Sequence, residues 1–488
     1  MIANLQHIAH AAGTPEARKA LEARFTDLAP PLTARQAAIE SARCLYCYDA
    51  PCTRACPSEI DIASFISHIA NDNVNGAAQV ILQQNILGAS CARVCPTEIL
   101  CEQACVRNHG QEGQPVKIGL LQRHATDHMV FPVHPFVRAS ASGKTVAVVG
   151  AGPAGLSCAH RLAMLGHEVV VFEARAKPGG LNEYGIAKYK LTDAIAQKEI
   201  AFLLEIGGIT IRYGQVLGAN LSLQDLHASY DAVFLGLGLA ASRRLGLAGE
   251  DAPGLLAAVD YIAALRQAED LTQMPVPARA IVLGAGNTAI DIAVQLVRLG
   301  AQEVSLVYRR DAGAMSATGH ERQIALQHGV RMLTWAQPQQ VLLDDAGRVR
   351  GMRFEKTALE AGVLQATGAT FEIAAEGIFK AIGQSLDSAS LRGALAAQVQ
   401  REGGRTGRSP GDNPRDKVSE KIVVDVHLRT SVAGIYAGGD CVGPGQDLTV
   451  QAVQHGKLAA QAIDFDLRAA PASAFASASP TASSTVKA

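Results

Sequence analysis

Eight of the ten cysteines in this 488-residue chain lie between positions 44 and 105. The first run is Cys44, Cys47, Cys52 and Cys56, with Pro57 next. The second begins Cys91, Cys95, Pro96 and continues through Cys101 and Cys105. Thiolates at this spacing suit the soft iron of iron–sulfur clusters, and in two-cluster arrangements the cysteine before a proline crosses to the other cluster. Two other chemistries use clustered cysteines. Zinc takes two Cys-x-x-Cys pairs at longer separation, which these runs do not match. Disulfide frameworks belong to small secreted domains, whereas this chain is long and residues 1–20 lack the apolar core of an export signal.

The second chemical signature is glycine. Gly150, Ala151, Gly152, Pro153, Ala154 and Gly155 fall between an apolar strand-like run and a helix-like run. In that context Gly150 permits a tight turn, Gly152 admits a pyrophosphate against the backbone, and Gly155 allows close helix packing. The helix start faces the phosphate charge. Glu173 closes the next strand, where a carboxylate accepts from an adenosine ribose hydroxyl. A second loop, Gly284-Ala285-Gly286-Asn287-Thr288-Ala289, is followed at the matching place by Arg309 and Arg310. Cations there pair with a 2′-phosphate and point to NADP(H); a solvated strand end is the alternative.

Further on, Ile435 to Gly439 and Asp440 read as a strand ending in a carboxylate that can meet flavin ribityl hydroxyls. A helix from about Thr449 aims its positive end at the flavin ring. Cys158 reads as a core residue, Cys441 has no partner for a redox dithiol, and Asp291 reads as a satisfied polar group. The histidines form no metal constellation. A nicotinamide gives two electrons as hydride and a cluster takes one, so a flavin has to stand between them. No protein nucleophile or acid–base pair is required, and no catalytic residue is assigned.

These residues must be positioned by two kinds of architecture. Residues 1–140 read as a helical cluster-binding domain, with Ile60, Ile62, Phe65, Ile66 and Ile69 at helical spacing and a second helical stretch over 76–87. Residues 131–135 and 140–143 form a linker. Then strands and helices alternate: 145–149, a helix over 156–165, 168–172, and a second copy at 280–283 and 303–308. This is the pattern of α/β, doubly wound, Rossmann-like units. Segments 330–357 and 363–375 read as antiparallel strands turning at 344–347. An Ala/Ser/Pro-rich tail over 469–488 is expected to be disordered. The net charge of −1 without a basic run excludes a nucleic-acid face as the expectation. No run of 18 apolar residues suggests a membrane span. Free thiols and clusters fit a reducing, cytoplasmic setting.

Several stretches carry a family resemblance. They are CLYCYDAPCTRACPSEIDIASFISHIANDN from Cys44, GASCARVCPTEILCEQAC from Gly88, VKIGLLQRHATD from Val116, VAVVGAGPAGLSCA, IVLGAGNTAIDIA and YAGGDCVG. Over residues 40–465 the chain resembles the PreT-type subunits of bacterial NAD-dependent dihydropyrimidine dehydrogenase and the N-terminal part of the single-chain eukaryotic enzyme. The first three stretches are specific; the nucleotide motifs occur across many flavoproteins.

The resemblance implies two [4Fe-4S] clusters, one on Cys44, Cys47, Cys52 and Cys105. The other takes Cys56, Cys95, Cys101 and the amide oxygen of Gln122. Plain arithmetic would instead use all eight cysteines, Cys91 included. The resemblance further implies FAD at the 150–155 loop, Glu173, Gly180, Leu181, Lys190, Gly439, Asp440 and Thr449. NADH or NADPH would meet Gly286, Asn287, Thr288, Arg309, Arg310, Ala381 and Gly383. The implied domains are an FAD-binding one over 141–243 and 385–468, and an NAD(P)-binding one over 244–384 inserted in it. Lys190 departs from an arginine of relatives, and Ser316 stands where a second phosphate-binding arginine is expected, so NADH stays open.

The implied partner is an FMN- and iron–sulfur-bearing catalytic subunit, in a heterotetramer. The small subunit of glutamate synthase shares the architecture and is the alternative, although its relatives carry a carboxylate at the position of Gln122. An idle cluster-bearing scaffold is a third reading, set against by the intact glycines of both loops.

Overall fold

The computed structural model describes residues 3–5, 8, 14–110, 112–192, 194–391, 393, 400–403 and 420–469. Two five-stranded sheets, each wholly parallel, organise the larger part of the chain. The first has the order Ile435–Ala437, Ala232–Leu235, Thr145–Val149, Glu168–Glu173, Ile209–Tyr213. Its central strand is β-branched and buried on both faces, as a parallel sheet requires. Val146 and Val148 point to a core shared with the helices Pro153–Met164, Ile195–Leu204 and Thr449–Ala469. Ala147 and Val149 point to the opposite core, with Leu223 and Leu226 of the helix Leu223–Ser229. The helix after the first glycine loop begins at Pro153 rather than 156, because proline fits the first helical position, where no amide donor is needed.

The second sheet is Leu255–Ala257, Gly377–Ala381, Arg279–Gly284, Glu303–Val307, Arg331–Leu333; its last four strands follow the order of the first sheet, while its edge strand Leu255–Ala257 comes first in sequence instead of last. All of its strands lie in sequence between Leu235 and Ile435 of the first sheet. One face packs on the helices Ala258–Gln267 and Asn287–Leu299. A three-stranded antiparallel sheet, Ala336–Leu343, Val349–Glu360 and Val363–Ala374, packs through Val341, Met352 and Phe354 on the other. The single antiparallel segment expected over 330–357 is therefore two things. Arg331–Leu333 pairs parallel with Ser305–Val307, and Trp335, at φ 58°, turns the chain before the antiparallel part begins.

The cysteine region is built from the helices Ala34–Ser41, Pro51–Ala55, Ile62–Ala70, Val74–Gln84, Gly88–Val94 and Ile118–His128. Ile60, Ile62, Phe65, Ile66, Ile69, Ile81 and Leu121 close a core around them. The stretch expected to be one helix over 76–87 breaks at Asn85, which adopts an extended backbone while its side-chain carbonyl accepts from Leu87 N at 3.0 Å. Leu82, Ile86 and Leu87 dock this region on the helical face of the first sheet.

The N-terminus departs from the expected 1–140 unit. Leu5, Ile8, Leu21 and Phe25 belong to the core of the second sheet, with Tyr261, Ile262 and Leu296. The helix Pro15–Ala23 thus buries its apolar side away from the cysteines. At the other end, the last helix includes Ala469, and the rest of the tail, 470–488, lies outside the described residues. Among the described residues no helix is long and apolar enough to cross a membrane.

Candidate functional site

In the first unit the glycine loop is fixed by sterics. Gly150 has φ 99°, and a Cβ there would stand 2.4 Å from Gly236 O; one on Gly155 would stand 1.9 Å from Gly150 O. Gly152 differs, since its nearest neighbour to an added Cβ is Gly180 Cα at 3.8 Å. Backbone packing thus explains Gly150 and Gly155, while Gly152 leaves room for a ligand. Gly152 is also the N-cap of the helix Pro153–Met164, which has no side-chain cap, so its first-turn amides are available to an anion. Glu173 is buried and ties the loop to the neighbouring strand: Oε2 accepts from Ala151 N at 2.8 Å and Oε1 from Arg175 N at 2.8 Å.

Two more segments close on this loop. Gly180, at φ 54°, precedes the short helix Leu181–Tyr184 and abuts Gly152, and Leu181 itself is partly exposed. Gly439, at φ 79°, abuts Ala154. Asp440 then lies at the end of the returning strand with no hydrogen-bond partner among the described residues. Burial pushes its carboxyl up to about 6, helped by Asp447 and opposed by Lys421. A half-buried carboxylate without a protein partner fits a ligand that brings hydroxyl donors, as a ribityl chain does. Thr449 opens the last helix and meets Asn182 Oδ1 at 3.0 Å. His455, not singled out by sequence, accepts from Gly439 N at 3.1 Å and so pins the Gly438–Asp440 turn.

The second unit repeats the device more openly. Gly284 packs against Ala381 O, where a Cβ would stand at 2.1 Å, but Gly286 meets only Ser316 Oγ at 3.3 Å. Gly286 caps the helix Asn287–Leu299 without a side-chain cap bond, Thr288 sits half-buried in the first turn, and Asn287 Oδ1 is buried without a protein partner. An amide end left unsatisfied inside the chain fits a polar ligand at this loop. Gly383, at φ 99°, accepts from Arg243 N at 3.2 Å and turns the chain after Ala381. Arg309 and Arg310 follow the strand Glu303–Val307; Arg310 is buried, and the Arg309 carbonyl accepts from Thr357 Oγ1 at 2.7 Å.

Lys190 is committed elsewhere. Its ammonium lies 2.6 Å from Asp291 Oδ1 and 2.6 Å from Glu321 Oε1, almost wholly buried, so it joins the two units as an ion group. Asp291 is satisfied there, with Tyr189 Oη at 3.4 Å as well.

The structure brings the cysteines together in the helical region. Cys44, Cys47, Cys52 and Cys105 line one cavity with Ile62, Ile66, Val116 and Ile118. Burial pushes Cys52 up to about 11. Cys56, Cys95 and Cys101 influence one another electrostatically. Cys95 is held well above its ordinary value, first by its hydrogen bond with Cys91 and then by burial; burial does the same for Cys101. Thiols so placed ionise against a cationic centre. Among the described residues no three or more His, Cys, Asp or Glu stand as one metal ion needs. Four cysteines around a cavity suit a larger group. Gln122 is buried, and its amide nitrogen donates to Gly88 O at 2.7 Å.

Three buried or half-buried side chains from the first unit reach into the cysteine region. Lys457 Nζ donates to Ser58 O at 3.0 Å and Gln84 Oε1 at 2.7 Å, and Arg161 Nη2 donates to Gln83 O at 2.7 Å. Glu199 accepts from Ala89 N at 2.6 Å and Ser90 N at 3.0 Å, and also from the Ser90 hydroxyl. It thereby caps the helix Gly88–Val94, which has no side-chain cap of its own. No spacing rule marks these residues, because each is a lone charge on an otherwise ordinary helix.

A thiol-rich helical region seated on paired nucleotide sheets defines an NAD(P)H-dependent FAD oxidoreductase with an iron–sulfur domain. Residues 21–131 match the family model described as dihydropyrimidine dehydrogenase domain II, 4Fe-4S cluster, and residues 144–456 match that of pyridine nucleotide-disulphide oxidoreductase. The chain belongs to the family of NAD-dependent dihydropyrimidine dehydrogenase PreT subunits. It is 33% identical over 446 residues to the PreT subunit of Salmonella typhimurium, covering 91% of this chain and 97% of that one. It is also 33% identical over 454 residues to the NADP(+)-dependent formate dehydrogenase subunit beta of Moorella thermoacetica, covering 86% of this chain and 60% of that one. FprA of Mycobacterium tuberculosis, solved with NADPH, shares the fold at a TM-score of 0.50 and 19% identity, over 67% of this chain and 84% of that one.

Proposed function

We propose that this chain is the electron-input subunit of a dihydropyrimidine dehydrogenase. It takes hydride from NAD(P)H and delivers single electrons to an FMN- and iron–sulfur-bearing partner that reduces uracil and thymine to 5,6-dihydropyrimidines. When bound, FAD and two [4Fe-4S] clusters supply the change from two-electron to one-electron chemistry. The chain's residues hold and orient. Gly152 and the first-turn amides receive a pyrophosphate, Glu173 a ribose and Asp440 a ribityl chain. Asn287, Thr288, Arg309 and Arg310 meet the nicotinamide dinucleotide.

The observation that carries the reading is the seam. Lys457, Arg161 and Glu199, all on helices of the first unit, grip the cysteine region: Lys457 holds Ser58 O beside Cys56, Glu199 caps the helix Gly88–Val94 that carries Cys91, and Arg161 holds Gln83 O on the helix before it. This supports a route in which the set at Cys56, Cys95, Cys101 and Gln122 adjoins the flavin unit. The exposed Leu45, Tyr46 and Tyr48 beside the set at Cys44, Cys47, Cys52 and Cys105 support that set as the exit.

The purified chain is expected to reduce an artificial dye with NAD(P)H while leaving uracil and thymine unreduced, and a partner of the stated kind should restore dihydropyrimidine formation. Uracil reduction by the chain alone, at a rate like its dye reduction, overturns the two-subunit reading. Within the clusters, Cys56→Ala should lose about half of the iron and Cys91→Ala none. Iron loss from Cys91→Ala would put Cys91 in place of Gln122. The identity shared with the formate dehydrogenase subunit supports a second reading, in which the same input module serves another partner. Identifying the protein that co-purifies separates the two; a large amidotransferase subunit would instead favour glutamate synthase.

A further inference from the structure

We propose that Lys457 is a positioning residue that sets the reduction potential of the cluster held through Cys56; this rests on the cluster reading above. The helix Thr449–Ala469 begins in the flavin cradle. Eight residues on, about 12 Å along its axis by helical rise, it presents Lys457 to the cysteine region. Lys457 is 5% exposed. Its two acceptors, Ser58 O and Gln84 Oε1, are both neutral, and among the described residues it forms no salt bridge. A buried cation with neutral partners is costly unless a counter-charge lies nearby.

The neighbourhood supplies one candidate. Ser58 is two residues from Cys56, and its hydroxyl stands 3.4 Å from Cys56 Sγ. Burial lowers the Lys457 ammonium to about 8, which leaves it protonated at neutral pH; the charges of Glu59 and Cys56 oppose that shift and Arg161 adds to it. Glu59 is exposed and therefore screened by solvent. Arg161 adds to the positive side. What remains is the thiolate side of Cys56 and whatever that thiolate ligates. A thiolate-ligated cluster is anionic, and its potential follows its net charge and surroundings. Reduction adds one negative charge. A buried ammonium beside the Cys56 segment therefore favours the reduced form of the cluster held through Cys56.

The test is a potentiometric titration of the anaerobically purified full chain, followed by electron paramagnetic resonance of the reduced clusters. In Lys457→Met, one cluster should become at least tenfold harder to reduce, a midpoint lower by 59 mV for a one-electron couple. The other midpoint should stay in place, and Lys457→Arg should keep both. Lys457→Gln retains a donor for Ser58 without the charge and should behave as the methionine variant does. Unchanged midpoints in the methionine and glutamine variants at full iron content overturn the proposal, as do equal shifts in both clusters. If the neutral variants lose one cluster's iron, its return in Lys457→Arg supports a requirement for charge. Iron loss from all three makes Lys457 a packing residue and overturns it. Iron well below about eight per unmutated chain refutes the two-cluster reading itself, and is measured before any variant.

Discussion

The two parallel sheets share the order of four strands, a glycine at the end of the central one, and a helix that starts without a side-chain cap; the fifth, edge strand is made last in the first sheet and first in the second. They differ in what surrounds the loop. In the first, Gly155 is pressed onto Gly150, and Gly180 and Gly439 close in on Gly152 and Ala154 from two other segments. In the second, Ala289 takes the third small position, and Gly286 faces only the Ser316 hydroxyl. The next strand ends in a buried acid in one unit and in two arginines in the other. The same backbone device is thus an enclosed cradle in one place and an open ledge in the other. Enclosure suits a resident cofactor, and openness suits a nucleotide that must come and go. The motif alone does not separate these uses; the segments packed over it do.

The largest effect should come from testing that enclosure. Gly155→Ala puts a methyl group 1.9 Å from a carbonyl that cannot rotate away, so bound FAD should be lost and the melting temperature should fall sharply. Gly286→Ala meets a hydroxyl that can turn aside, and should keep FAD and melting temperature while raising the KM for NAD(P)H. Flavin absorbance per chain with thermal melting decides this, and a fully flavin-loaded Gly155→Ala would erase the contrast. Next in size is nucleotide choice. Replacing Arg309 and Arg310 with glutamine should raise the KM for NADPH about ten- to a hundredfold more than that for NADH, the worth of roughly 1.5–3 kcal/mol in charge-assisted bonds. Equal effects on both would leave the arginines no part in reading the phosphate.

An effect confined to a pH window concerns the tie between the first unit and the cysteines. Burial holds Glu199 up at about 7, against its hydrogen bonds from Ser90 and Ala89 and the charge of Arg93. The folded chain therefore keeps a proton that the unfolded chain releases from about pH 4.5. This contribution to stability is fully present below about 4.5, is lost as pH rises toward 7, and is absent above it. Across that window it is worth up to about 3 kcal/mol. Melting temperatures of wild type and Glu199→Gln should diverge with pH only between those limits. A difference constant from pH 4 to 8 would show that Glu199 does not titrate there.

Much of this was legible in sequence, for identifiable reasons. Gly150 and Gly155, the cysteine runs and Glu173 belong to local patterns whose spacing is dictated by a turn or a cluster. Gln122 came only through family resemblance, since an amide on a helix carries no spacing signal. The partners of amphipathic faces were not legible. Leu21 and Phe25 announce a buried side but not that it lies on the second sheet, and the short strand Arg331–Leu333 merges in sequence with the antiparallel segment after it. Lys190, Glu199 and Lys457 act across separations of about 100 to 400 residues, where sequence offers no register, and His455 reaches back 16 residues to Gly439 without a spacing rule to mark it.

The late return of the strand Ile435–Ala437 has a consequence for biosynthesis. Its neighbour Ala232–Leu235 is made about 200 residues earlier, and the whole second sheet is made in between. At ribosomal speeds the first sheet therefore waits roughly 10–40 s with one flank unpaired. An unpaired strand edge is a template for aggregation. During the same interval the cysteine region lacks the last helix, and with it the bonds of Lys457 to Ser58 O and Gln84 Oε1.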